Sequence, residues 1–361
     1  MNPKHLFVLS AIKKIGETVL LPELLKIIAK KYIKSLSENT VWCGCRQTIL
    51  RYDDKYYFQN CFDFGRIAVK NISQFGVCGY NFIVLDENRC VWGSGENKFG
   101  ELGLKKKNID PRSPVKILPK VKSISVGYNH TLAIGDDACL YAWGDNSQSQ
   151  LGVGHQNKCV SVQKVNLENV IFASCKNHSA VITADLDLYM WGENEYGQLG
   201  LGDKINRNTP YKVGSGYKFV ACGGYYTIAI DLNGKLFGCG HNINRIFGRN
   251  GDCLTSLTQI TSDEFFMSVV CGISHVAAIN NLGELFMWGM NNYGQLGLGT
   301  DILHYEYPQK VLSDIKMVSC GYDHTMAIST DDQIYVWGSN SNGQLLLQGS
   351  TYYKPVKINF G

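Results

Sequence analysis

One spacing governs this chain. Glycines at 95, 144, 192, 240, 289 and 338 open near-copies of a single segment, so the same local sequence returns every 48 or 49 residues. The clearest copies are WGDNSQSQLGVG from Trp143, WGENEYGQLGLG from Trp191, WGMNNYGQLGLG from Trp288 and WGSNSNGQLLLQ from Trp337. Two weaker ones, SGENKFGELGLK from Ser94 and CGHNINRIFGRN from Cys239, keep the glycine frame. A unit this short cannot bury an apolar face alone, so it must stack on its neighbours.

A second motif runs in phase with the first: GYNF at 79, GYNH at 127, CKNH at 175, GGYY at 223, GISH at 272 and GYDH at 321. Between the two, each unit carries an apolar run, a polar turn and an aromatic run, as in HTMAISTDDQIYVWG, which is the pattern of two strands joined by a hairpin. A third signal, PVKI at 114, PYKV at 210, PQKV at 308 and PVKI at 355, fits an outer strand, where proline is tolerated. Four short strands per unit at this period predict an all-β β-propeller. The 38 glycines and 20 tyrosines agree with strands and turns. In such a ring tryptophan fills the gap between blades, and glycine serves crowded turns with positive φ.

Six units occupy 72–361, and YIKSLSENTVWCG at 32–44 aligns without gaps to LAIGDDACLYAWG at 132–144. Seven blades are therefore expected, with six as the alternative, and the chain divides into an extension at 1–31 and a propeller at 32–361. In the extension Leu21, Leu24, Leu25 and Ile28 fall at helical spacing. That helix would cap the ring or dock a partner, since LPELLKII is similar to the start of an F-box.

The remaining composition narrows the class. Hydrophobic content of 45%, 18% charged residues and a net charge of +4 describe a core-forming protein with no global pull toward nucleic acid or membrane. No membrane span or secretory signal is read, so the expected place is intracellular, cytoplasmic or nuclear. Of the 13 cysteines, Cys78, Cys222, Cys271 and Cys320 precede the glycine of the second motif, where Val126 and Ser174 stand in other units. A slot shared by Cys, Val and Ser is small and buried, which predicts free thiols.

Gly-x-x-His, then Trp-Gly-x-Asn, then Gly-Gln-Leu-Gly at this period resembles the regulator of chromosome condensation (RCC1) repeat family over about residues 32–361. Kelch and WD propellers lack this combination. The resemblance implies a seven-bladed ring. It also raises guanine-nucleotide exchange on a small Ran-like GTPase, the activity of the founding member, which uses a β-wedge inserted in one blade. The uniform units here leave no room for a wedge. By position Asp323 and His324 would correspond to exchange residues, but histidine recurs at His130, His178 and His275, which favours a structural brace at all four places. Family members that sense light carry Gly-Trp-Arg-His-Thr where this chain has Gly-Tyr-Asn-His, so that role is not expected.

No catalytic constellation, cofactor loop or metal site stands apart from the repeat. Cys43-x-Cys45 lacks a second ligand pair, and Gly-x-Gly elements such as that at 200–202 precede no helix. Recognition is expected in the variable loops, with Lys105, Lys106, Lys107 and Arg112 as the strongest basic cluster and Lys204 and Arg207 as a weaker one. Trp143, Trp191, Trp288 and Trp337 are expected to be structural. The resulting expectation is a non-enzymatic, monomeric protein-binding scaffold without direct contact to chromatin. The alternatives are a small-GTPase regulator, or a ubiquitin-ligase adaptor acting through Leu21 to Ile28.

Overall fold

The structure, a computed structural model, describes residues 40–43, 48–52, 55–59, 69, 71–78, 81–110, 113–157, 159–242, 244–260 and 263–358. The expected N-terminal helix and Arg112 lie outside these. The strands belong to the compact unit Asn39–Gly361. All regular structure among the described residues is strand, and no helix there is long and apolar enough to cross a membrane.

Six blades are complete: blade 1 (72–118), blade 2 (121–164), blade 3 (170–215), blade 4 (217–259), blade 5 (266–312) and blade 6 (315–358). In each, antiparallel strands a to d run outward from the axis. Blade 3 shows the plan, with Val170–Cys175, His178–Thr183, Asp187–Gly192 and Arg207–Ser215 in that order. Blade 1 splits its outer strand into Asn108–Ile109 and Val115–Leu118. The prolines at 210, 308 and 355 lie in outer strands, whose free edge needs no donor there. A further three-stranded sheet, β1 (Thr40–Cys43), β2 (Thr48–Tyr52) and β3 (Lys55–Gln59), packs between the inner strands of blades 6 and 1 and closes the ring.

That sheet corrects the alignment of 32–44 with 132–144. Residues 41–43 were expected on a third strand, yet β1 is an innermost strand. Cys43 N donates to Ser319 Oγ at 2.9 Å, as Cys175 N does to Ser125 and Cys222 N to Ser174 in the inner strands of blades 3 and 4. The cross-strand pair Cys43 with Thr48 repeats Cys320 with Thr325. Cys43 and Thr48 thus hold the places that Cys320 and Thr325 hold in blade 6.

Two more frames shift by one residue. In blade 1 Asn81, not Phe82, pairs with Gly95 as His130 pairs with Gly144, so Val77 rather than Cys78 fills the small inner slot. In blade 3 the slot holds Cys175 rather than Ser174, because only Lys176 and Asn177 separate strands a and b where blades 2, 4, 5 and 6 use three residues. Lys176 N consequently bonds the carbonyl of His178, two residues on, whereas Gly127 N reaches His130, three on. The described cysteines are free. Burial holds the Cys175 thiol up at about 11 and that of Cys271 at about 12, so both stay neutral donors.

The blades are joined by one recurring device. Trp143, Trp191, Trp288 and Trp337 have no exposed surface. Burying roughly 200 Å² of indole is worth at most about 5 kcal/mol. Each indole Nε1 also donates to a carbonyl in the preceding blade: Glu101, Gln150, Ile246 and Gln295, all at 2.8–2.9 Å. The turn carrying that carbonyl must lie flat on the ring. Gly152 does so at φ +70°, and a Cβ there would come within 2.6 Å of Trp191 Nε1. Histidine completes the joint: His130 Nε2 meets Ser179 Oγ at 2.9 Å, and Ser179 donates to the same Gln150 carbonyl at 2.7 Å. His178 with Thr227 and His275 with Thr325 repeat the arrangement.

Candidate functional site

Strands alternate in direction, so the a–b turns and the long c–d loops leave one side of the ring, and the b–c hairpins leave the other. The c–d loops are scaffolded rather than slack. In each, the asparagine of Trp-Gly-x-Asn is buried, its Oδ1 taking the amide five residues on and its Nδ2 donating to later loop carbonyls. Asn194 does this with Leu199 N at 2.9 Å and Ile205 O at 3.1 Å, and Asn291 with Leu296 N and Ile302 O. Leu102, Leu151, Leu199 and Leu296 anchor the same turns in the core. Side chains that differ between blades therefore stand on a rigid base.

On this loop face aromatic rings gather near the axis. Tyr128 of blade 2 meets Tyr322 of blade 6 edge-on at 5.4 Å across the ring, and Lys176 Nζ lies 5.6 Å from the centre of Tyr128. Tyr196 packs with tilted rings at 5.2 Å against Tyr225 and at 4.6 Å against His241. Between these groups opens a pocket of about 190 Å³ lined by Tyr128, Asp145, Gln148, Lys176, Glu193 and Tyr225, among others. It sits where the a–b turn of blade 3 is one residue short. Burial, helped by the nearby Glu195 charge, raises the Glu193 carboxyl to about 7. Burial also holds His130 near 4, so its ring faces this site neutral.

The basic loop residues are distributed differently from a single patch. Lys105, Lys106 and Lys107 are exposed on the c–d loop of blade 1, whose backbone is held by Asn97. Lys204 is exposed on the corresponding loop of blade 3, with blade 2 between. Arg207 is committed within its own loop: it pairs with Asp203, donates to Ile205 O and lies over Tyr211 at 5.3 Å. Leu21, Leu24, Leu25 and Ile28 fall outside the described residues, as does Arg112. The pocket residues Tyr128, Lys176, Glu193 and Tyr225 were not singled out by the sequence reading; the one signal for them is the short CKNH turn. Among the described residues no group of three or more His, Cys, Asp or Glu side chains is placed to hold a metal.

The regulator of chromosome condensation (RCC1) repeat matches at 90–134, 187–230 and 283–328, and a second model of the same repeat at 121–150, 217–245, 268–295 and 315–344. The chain is similar to the ultraviolet-B receptor UVR8 of Arabidopsis thaliana, 33% identical over 138 residues, which is 32% of this chain and 31% of that one. It is also similar to the X-linked retinitis pigmentosa GTPase regulator of Canis lupus familiaris, 35% identical over 98 residues, 25% of this chain and 10% of that one. The chain thus spans about a third or less of the length of these curated relatives. A solved structure of Prp20p from Saccharomyces cerevisiae, described with its binding to Gsp1p and histones, superposes with a TM-score of 0.74 at 20% identity, covering 86% of this chain and 81% of that one, a likeness of fold. Matched repeats across most blades, on a ring whose joints are made by the repeat's own Trp, His and Gly, show that the chain belongs to the regulator of chromosome condensation (RCC1) repeat family.

Proposed function

We propose that the protein is a non-enzymatic binding scaffold whose loop face receives a protein partner. One observation carries this reading. The polar side chains that recur from blade to blade are consumed in joints, as His130, His178 and His275 are. Aromatic and charged side chains outside those joints, among them Tyr128, Lys176, Tyr196, Tyr225 and His241, gather on the loop face. Clustered tyrosines with scattered charge on a rigid base match the composition of interface centres. The test is quantitative capture of partners from cell extract by the intact chain and by face-specific variants. Tyr225→Ala and Tyr196→Ala should cost a specific partner at least about tenfold, an interface hot-spot loss. Asp137→Ala on the opposite hairpin face should cost nothing; equal loss from both faces defeats the reading.

A second reading, regulation of a small GTPase, is favoured by the relatives described as a GTPase regulator and as binding Gsp1p. Against it stand the uniform c–d loops, none of which carries an added strand pair among the described residues. Nucleotide release from a panel of small GTPases separates the two, since acceleration on any member would replace the scaffold reading.

A further inference from the structure

Resting on that loop-face reading, we propose that the pocket bounded by blades 2, 3 and 4 is a socket for one arginine side chain of the partner, its guanidinium pairing with the Glu193 carboxylate against the rings of Tyr128 and Tyr225.

Glu193 is a half-buried carboxylate left over from the loop bonding of its blade. Its blade 2 counterpart, Asp145, takes hydrogen bonds from Ser147 N, Ser147 Oγ and Gln150 Nε2. In blade 1 the counterpart, Glu96, pairs with Lys98 at 3.0 Å and the Gln150 place holds Glu101, itself held by Phe99 N and Asn81; in blade 3 Asp203 is held by Arg207. Glu193 makes no hydrogen bond or ion pair among the described residues, although it is half-buried. The lengthening from Asp to Glu has uncoupled a pair. Gln198 occupies the place of Gln150, yet its Nε2 is fully buried with no partner. The donor stays unused below, and the acceptor faces the pocket.

The other groups around Glu193 leave room for an incoming cation. Asp145 adds negative charge, and Glu195 adds more from its own loop. Lys176 is the ammonium of the pocket, and it rests over Tyr128 without pairing to Glu193. His130 is neutral, and burial lowers His241 as well. A volume of about 190 Å³ admits a guanidinium and its methylenes but not a folded segment. Arginine suits this wall better than lysine because its planar fork matches a carboxylate, lies flat on aromatic rings and is weakly hydrated.

The experiment titrates N-acetyl-arginine-methylamide into the full chain by ligand-observed NMR, beside the lysine and glutamine analogues. The arginine probe should bind at least about fivefold more tightly than either, as expected where a bidentate pair adds to stacking. Since the carboxyl ionises at about 7 and only the anion pairs, affinity should fall about tenfold from pH 8 to pH 6. At pH 8 Glu193→Gln should abolish saturable binding, while Glu168→Gln, an exposed carboxylate away from the pocket, stays within about twofold and both variants melt with the wild type. Lack of saturable binding, equal affinity for the three analogues, or an unchanged Glu193→Gln overturns the socket. Failure of the loop-face reading looks different: the probe would bind while partner capture ignores Tyr225→Ala.

Discussion

The joint between blades 5 and 6 and the joint between blades 4 and 5 solve one problem with different chemistry. In the first, His275 is too short to reach the next backbone, so it meets Thr325 Oγ1 at 3.1 Å, and Thr325 passes the bond on to the Gln295 carbonyl at 2.9 Å. In the second, Tyr226 stands at the histidine place and its hydroxyl donates straight to the His275 carbonyl at 2.7 Å. No relay is needed, and the position that holds Thr227 and Thr325 in other blades holds Val276. The two substitutions belong together: a histidine facing Val276 would leave its Nε2 buried and unpaired. Both joints keep the tryptophan. Apolar filling is therefore the common element, and the polar brace is exchangeable as a matched pair.

The largest way to test that division is to remove what the joints share. Trp288→Ala and Trp337→Ala should each destabilise by about 3–5 kcal/mol in denaturant unfolding, by equal amounts in the two joints. A much smaller loss at one would mean that the polar brace, not the indole, carries that joint. Next comes the matched pair itself. Tyr226→His alone should cost about 2–3 kcal/mol, and adding Val276→Thr should restore most of it. A double-mutant cycle without coupling would separate the two positions.

A smaller effect distinguishes the joints by pH. Burial holds His178 and His275 near 3 and His130 near 4, all below the ordinary value of about 6.5. As pH falls below about 6.5 the unfolded chain takes up these protons first. The stability is thus fully present above that value and drains away toward the folded values, by about 1.4 kcal/mol per pH unit for each histidine. The joint at Tyr226 contributes nothing to this slope. Copying it with His275→Tyr and Thr325→Val should flatten the slope between pH 6 and 4 by about 1.4 kcal/mol per unit, as read from unfolding curves. Smallest of all, replacing Lys105, Lys106 and Lys107 by serine should change stability by less than about 0.5 kcal/mol, because these side chains are exposed.

The blade plan was legible because it is written many times over. The 48–49 residue return, the apolar runs and the Trp-Gly pairs each recur, so drift in one copy, such as Cys239 for tryptophan, does not hide the frame. Cys239 keeps even the hydrogen bond, its thiol donating to the Gln198 carbonyl at 3.3 Å. Less legible were single-residue registers. GYNF resembles GYNH letter by letter, yet strand pairing puts Asn81 at the histidine place, and CKNH hides a deletion that moves Cys175 into the slot. The pocket was not read: recognition was expected in the stretches that carry Lys105 to Lys107, Lys204 and Arg207, whereas the pocket is lined by a–b turns and the first residues of the c–d loops, and depends on that deletion and on Glu193 standing where Asp145 stands in the blade before.

By itself the sequence determined that this chain is a ring of like sheets with tryptophan set against glycine, because periodic burial needs only residue types at fixed spacing. Tertiary structure decided which residue of each motif faces the axis, which histidine finds a hydroxyl and which carboxylate is left without one. Those outcomes turn on ångström distances between blades some 50 residues apart in the chain, and a one-residue slip that moves every side chain to the other face costs nothing in composition.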